Sequence, residues 1–378
     1  MPTALVNGQV LLGEELAHGR AVIVDGNRIV AIVPRGEVPS NASIVDLDGR
    51  WLLPGFIDVQ VNGGGGVLFN DAQSVEDIRA LAVAHRGFGT TGLLPTLISD
   101  DLDVIAAALE LTARAIDANV PGILGVHIEG PFLSPERRGV HDASKFRALD
   151  ESAFKLLTSL KHGRLLLTLA PETTTPEMIR RLTRAGVVIS AGHTNARYTQ
   201  IRAAIDAGLR GFTHLFNAMS PLTGREPGTV GAALEDIHSW CGLIVDGHHV
   251  SPVTMKLALR CKPINRFMLV TDAMPTVGMS GEYFMLQGRK ITVRDGICMD
   301  EAGTLAGSNL DMASAVRNAM RMLDINLPTA VRMASEFPAA FLGLEKSHGR
   351  IAPGYRANFV ITDSNMNIHA TWIDGASQ

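Results

Sequence analysis

The chain has 378 residues, 46% of them hydrophobic and 19% charged, with a formal net charge of -4. That length fits one large core plus a smaller unit, and a mildly acidic chain with no long run of Lys or Arg argues against nucleic acid or anionic membranes as partners. Three widely spaced cysteines, Cys241, Cys261 and Cys298, contain no C-x-x-C pair. A disulfide framework or thiolate zinc site is therefore not expected, and the reducing cytoplasm is the expected compartment; Cys241 and Cys261 read as buried small hydrophobes. The longest apolar runs, such as Leu165 to Leu167, are too short to span a bilayer, and the opening residues read as a strand, not as a signal peptide.

Residues 1–52 alternate short apolar bursts with turn dipeptides, Asn7-Gly8 and Asp25-Gly26 among them, which predicts a small antiparallel β unit. Residues 347–378 repeat the style, with Asp374-Gly375 near their end. Two β-rich ends around a different middle predict one small β-sandwich domain built from both termini. Two unrelated flanking hairpins are the alternative.

Residues 53–346 change rhythm. Eight short apolar runs begin at Pro54, Thr90, Gly122, Leu165, Val187, Gly211, Cys241 and Phe267. Helical spacing separates them, with Ser74/Asp77 and Thr175/Met178 at helix starts and Gly186 and Gly208 at helix stops. Near-continuous apolar strands alternating with amphipathic helices indicate an α/β fold with a parallel sheet covered by helices. Eight such units predict a closed (β/α)8 TIM-like barrel. A doubly wound open sheet is the alternative, but no G-x-G-x-x-G opens a helix after a strand, and the Gly63–Gly66 run lacks a phosphate-loop Lys-Ser/Thr.

Barrel strands present their chemistry at their C-terminal ends, and the polar residues fall there. Gln60 and Asn62 end the first strand, Glu129 the third and His193 the fifth; His214 lies in the sixth; His248 and His249 end the seventh and Asp272 the eighth. Glu129, His193 and His214 suit a divalent ion such as zinc with an open position for water. Asp272 is the candidate general base. His141, in the loop after Glu129, is a candidate for polarising a carbonyl. The backbone at Asn217-Ala218, with Arg225 and His249, suits an anion, although a loop Arg is as readily a plain surface charge. His127 shares a strand face with Glu129 and reads either as support for the ligands or as packed interior. His18, His85, His162, His238, His348 and His369 read as surface residues.

The segments PGFIDVQVNGGGG, GVHIEGPFLSPERRGVH, SAGHT, THLFNAMSPLTGREPG, DGHHV, VTDAM and GTLAGS occur in this order along the chain. Together they resemble the N-acetylglucosamine-6-phosphate deacetylase family of the amidohydrolase superfamily over almost the whole length. The resemblance implies hydrolysis of the acetamide of an amino-sugar 6-phosphate by metal-activated water, with one divalent ion per subunit, Zn2+ first and Fe2+ or another divalent ion as alternatives. It implies Glu129, His193 and His214 as ligands, Asp272 as acid/base and His141 on the substrate carbonyl. Asn217, Ala218 and His249 would bind the sugar phosphate, joined by Arg225 from the neighbouring subunit of a homodimer. Many superfamily members carry His-x-His where this chain has Gln60 and Asn62, which favours a single metal and leaves Gln60 as a weak second-metal or water-contact position. An N-acetylgalactosamine 6-phosphate substrate, another amidohydrolase chemistry on a different amide, and an inactive scaffold remain as alternatives.

Overall fold

The computed structural model describes residues 1–377. All eight expected runs become strands of one parallel sheet. They are β1 (Phe56–Val61), β2 (Thr90–Ile98), β3 (Gly125–Glu129), β4 (Arg164–Leu169), β5 (Val188–Ala191), β6 (Gly211–Phe212), β7 (Trp240–Leu243) and β8 (Phe267–Leu269). Each pairs with the next in chain order. The sheet closes through the residues after β8: a parallel bridge joins Val61 to Ala273, and the Asp272 N–H donates to Gln60 O at 3.0 Å. Every residue of β1 and β2 is buried, as expected of strands covered on both faces.

The helices form where the sequence signals them. Ser74 and Asp77 make a reciprocal capping box before the helix Val75–Arg86. Thr175 caps Pro176–Arg184 by accepting from the Met178 N–H. Gly186 (φ 91°) and Gly208 (φ 110°) follow two of the helices in left-handed conformation. Helix and strand faces meet in one large core that includes Phe56, Leu97, Leu167, Phe212, Phe267 and Phe341. Truncating any of these phenylalanines to Ala costs about 3–5 kcal/mol.

The two termini build a β-sandwich. A four-stranded sheet runs Arg28–Pro34, Arg20–Asp25, Thr3–Val6, Ser43–Asp46, and a six-stranded sheet joins Gln9–Leu12 and Trp51–Pro54 to Phe359–Thr362 and Ile368–Ile373. Leu5, Val22, Leu52, Phe359 and Trp372 share its core. The unit is not purely antiparallel, because Thr3–Val6 pairs in parallel with Ser43–Asp46 and Gln9–Leu12 with Trp51–Pro54. The chain crosses between sheets at Asn7-Gly8 instead of closing a hairpin there, although Asn7 takes φ 61°. Asp374 (φ 53°) and Gly375 (φ 80°) do close a two-residue hairpin.

A four-stranded antiparallel sheet (Tyr283–Leu286, Arg289–Arg294, Ile297–Met299, Leu305–Ser308) follows β8. It lies inside the region read from sequence as plain barrel. Its strands are short and alternate exposed with buried residues, as in Tyr283–Leu286, so they carry no long apolar run. His85 corrects another expectation: it is fully buried, with Nε2 2.8 Å from Gly63 O. Ile78, Leu81, Ala82 and His85 are the buried residues of their helix, and that i, i+3, i+4, i+7 stripe faces the barrel. His348 is half-buried, whereas Cys261 is exposed near the C-terminus of its helix.

Candidate functional site

A cavity of about 350 Å³ opens at the C-terminal end of the barrel strands, lined by Asn62, Glu129, His141, His193, His214, Asn217, Ala218, His249 and Asp272 among others. Most sequence-predicted site residues meet there. His193 and His214 each lie two residues beyond the end of a short strand, so His214 follows the sixth strand and is not within it. Both take left-handed backbone (φ 47° and 35°), as do Ala218 (48°) and Asp272 (54°). Each such non-glycine residue costs about 1–3 kcal/mol of strain, and clustering of that kind is found where geometry serves chemistry.

His214 Nε2 lies 3.0 Å and His193 Nε2 3.3 Å from Glu129 Oε1, and the two nitrogens are 3.1 Å apart. All three residues are buried. His193 Nδ1 sits 2.9 Å from the Arg137 carbonyl oxygen. That oxygen can only accept, so Nδ1 carries a proton and Nε2 is the ring nitrogen that faces His214 and Glu129. A carboxylate oxygen and two imidazole nitrogens converging this closely fit a divalent cation. Burial opposes charge on Glu129, but the hydrogen bonds with His193 and His214 outweigh it and hold the carboxyl well below its ordinary range.

Asp272 faces the same cavity. Its Oδ1 accepts from Asn62 Nδ2 at 2.6 Å and Gln60 Nε2 at 3.0 Å. Oδ2 has no hydrogen-bonding partner among the described residues. Burial, joined by the Glu129 charge, pushes the carboxyl up to about 6. Its backbone is pinned from both sides, by Gln60 O and by the Ser308 N–H (2.8 Å). Gln60 Nε2 also faces Glu129 at 3.3 and 3.4 Å, so one amide spans the two carboxylates.

His141 Nδ1 lies 2.8 Å from Ser99 Oγ and 3.4 Å from the Ser99 N–H. A backbone N–H can only donate, so Nδ1 accepts and Nε2 carries the proton. Burial, then the neighbouring His193, holds this imidazole well below its usual range, leaving a neutral Nε2–H donor. On the other side of the cavity His249 Nδ1 is 2.5 Å from Asp246 Oδ2, while Asp246 Oδ1 accepts the His248 and His249 N–H groups at 2.8 and 2.9 Å. His248 itself is exposed.

Three further residues take these places. The Asn217 N–H donates to His214 O at 3.0 Å and closes a turn, and Asn217 and Ala218 both line the cavity. Arg225 is exposed and does not line the cavity of its own chain. His127 is interior: its ring faces Thr168 Oγ1 at 2.8 Å and Thr96 Oγ1 at 3.3 Å, and burial holds it at about 4. Residue typing missed Ser99, Asp246 and the Asn62–Asp272 contact. Ser99 directly follows β2, so applying the strand-end rule to that strand would have found it.

A closed parallel barrel whose mouth joins a Glu/His/His cluster to a buried acid defines a hydrolase of the kind that works with a cation. The chain belongs to the amidohydrolase family: that family's model matches residues 51–377, and the model of the NagA composite domain matches residues 3–52. An N-acetylgalactosamine-6-phosphate deacetylase from Shewanella sp. (strain ANA-3) is 47% identical over 87% of this chain and 83% of its own length. The crystal structure of N-acetylglucosamine-6-phosphate deacetylase from Pasteurella multocida superposes with a TM-score of 0.97 at 35% identity, covering 100% of both chains. A mutant N-acetyl-D-glucosamine-6-phosphate deacetylase from Mycobacterium smegmatis, in complex with N-acetyl-D-glucosamine 6-phosphate, superposes at 0.90 with 35% identity over 100% of this chain and 99% of that one.

Proposed function

We propose that this chain hydrolyses the acetamide of N-acetylglucosamine 6-phosphate to acetate and glucosamine 6-phosphate, a step of amino-sugar metabolism. The observation that carries it is the convergence of Glu129, His193 and His214 within 3.0–3.3 Å of one another, in a cavity shared with Asp272 and His141. Those three side chains would hold one divalent cation, zinc first and Fe2+ second. When bound, the cation supplies Lewis acidity, lowering the pKa of water and polarising the carbonyl.

Asp272 is the acid/base. Its Oδ1 is committed to Asn62 and Gln60, so Oδ2 takes the proton of the attacking water and returns it to the leaving amine. His141 donates Nε2–H to the acetyl oxygen, where negative charge develops as the carbonyl carbon becomes tetrahedral. The 6-phosphate is held by the Asn217-Ala218 turn and His249, and by Arg225 reaching across from the second subunit of a homodimer. The exposure of Arg225 on its own chain is compatible with that reach. These remote contacts hold the amide in position for attack. A second cation at Gln60 is disfavoured, because its amide nitrogen faces both carboxylates. We assign the reaction to the cytoplasm, in keeping with three free cysteines; no helix among the described residues is long and apolar enough to cross a membrane.

The 47% identity to the Shewanella relative favours a second reading, in which N-acetylgalactosamine 6-phosphate is the better substrate. Comparing kcat/KM for the two 6-phosphates decides between them. A larger value for the gluco sugar supports the first reading, a larger value for the galacto sugar the second, and turnover of neither sinks both.

A further inference from the structure

His141 is the one proposed reacting group that does not stand close to the end of a barrel strand; it lies twelve residues beyond Glu129, on a loop. A group that must meet a carbonyl oxygen within a few tenths of an ångström needs a rigid support, and a loop alone does not supply one. The support comes from the four-stranded sheet after β8. At the tip of its first hairpin, Gln287 takes φ 48° and Gly288 φ 79°, so that Leu286 pairs with Arg289 across a two-residue turn. Two side chains at this tip reach the His141 environment. Gln287 Nε2 donates to Ser99 O at 2.8 Å, and Ser99 is the residue whose N–H and Oγ face His141 Nδ1. Arg289 donates through its guanidinium to the carbonyl oxygen of Val140, the residue directly before His141.

Packing reinforces both bonds. Phe284, Leu286 and Ile291 of the hairpin share a buried cluster with Val140, Ile98 and Met274, so the flanks of His141, Ser99 and Asp272 rest on one apolar layer. The last strand of the sheet also contributes Leu305 and Gly307 to the cavity wall. The outer face of the hairpin, with Tyr283 and Met285, is exposed, so the sheet touches the barrel with one side only.

We propose that Arg289 and Gln287 are positioning residues: from the hairpin tip they clamp Val140 and Ser99 on either side of His141 and so fix the direction of its Nε2–H. The proposal rests on the deacetylase reading for its kinetic test and on geometry alone for its structural one. A misplacement of about 1 Å at a reacting group costs up to about 100-fold in rate, and each variant removes one of two tethers. Arg289→Ala and Gln287→Ala should therefore each lower kcat for N-acetylglucosamine 6-phosphate about 5- to 30-fold, with KM changed less than about 3-fold. The metal content per chain should not change, because neither residue touches Glu129, His193 or His214. Arg289→Lys, which keeps a donor, should recover much of the loss.

Amide hydrogen exchange over residues 138–146 gives a readout independent of turnover, and it should accelerate in both alanine variants while the barrel strands stay protected. Unchanged kcat together with unchanged exchange in this segment would overturn the proposal. So would parallel losses in kcat, metal content and strand protection, which describe general unfolding. If the wild-type protein releases no acetate, the deacetylase reading fails on its own, and the exchange experiment still decides whether the hairpin clamps His141.

Discussion

Replacing Asn62 with Leu tests the acid/base assignment through a change of a single hydrogen bond. Asn62 Nδ2 donates to Asp272 Oδ1 at 2.6 Å, beside the longer 3.0 Å contact from Gln60. A donor to a carboxylate stabilises its charged form, so losing it raises the pKa. A hydrogen bond to a charged group is worth about 1.5–3 kcal/mol, and about 1.4 kcal/mol is one pKa unit, so the shift is about 1–2 units upward. With Asp272 starting at about 6, roughly nine-tenths of the sites hold the base at pH 7, falling to about half or a tenth in the variant.

The acid limb of kcat/KM should thus move up by about 1–2 units, with a ~2- to 10-fold loss at pH 7 that recovers toward pH 9. A bound cation lowers the limb in both proteins, and the difference between them survives. Leu also removes Asn62 Oδ1, a buried acceptor without a partner, so the melting temperature should change little. The assay is acetate release between pH 5 and 9. An acid limb that stays fixed while activity drops equally at every pH would refute Asp272 as the group that titrates.

Other outcomes follow from the same geometry. Glu129→Gln removes the one anionic member of the cluster, and metal counted per purified chain should fall well below that of wild type. Arg225→Ala should raise KM for the 6-phosphate by about 10-fold or more, the size of a lost charge-assisted contact, with no effect on the same sugar lacking phosphate; equal effects on both sugars would remove Arg225 from the phosphate site. Asp58 lies beneath the site, where burial pushes its carboxyl up to about 7. Because this folded value lies above the unfolded one, its contribution to stability is complete below about pH 4 and is lost as pH rises toward about 7. Asp58→Asn should accordingly gain stability relative to wild type between pH 5 and 8 in urea melts, and a difference that does not change with pH would contradict the assignment.

The barrel was legible because its signals are local. Continuous apolar runs, Ser74 and Thr175 at helix starts, and Gly186 and Gly208 at helix stops each act within a few residues. The convergence of Glu129, His193 and His214 followed from a single rule about strand ends. What stayed hidden depends on long-range pairing or on tautomers. The parallel pairing of Thr3–Val6 with Ser43–Asp46 spans forty residues and leaves no mark on either segment. The sheet at Tyr283–Ser308 has strands of three to six residues, too short to stand out by periodicity. The burial of His85 is readable in the sequence, since Ile78, Leu81, Ala82 and His85 recur at helical spacing. The proton on His141 Nε2 is fixed by Ser99, forty-two residues away in sequence, and no local motif reports it.

In the proposed reaction a cation held by Glu129, His193 and His214 would act with the acid/base Asp272 to cleave the acetamide of an amino-sugar phosphate. Its most direct test is acetate release from N-acetylglucosamine 6-phosphate, beside the unphosphorylated sugar, by protein as purified, after chelation and after zinc is restored, with bound metal counted in each sample. Active samples should carry about one metal per chain and favour the phosphorylated sugar, with turnover lost on chelation and recovered with zinc. Undiminished turnover by metal-free protein, or no acetate from a fully loaded one, would contradict the proposed reaction.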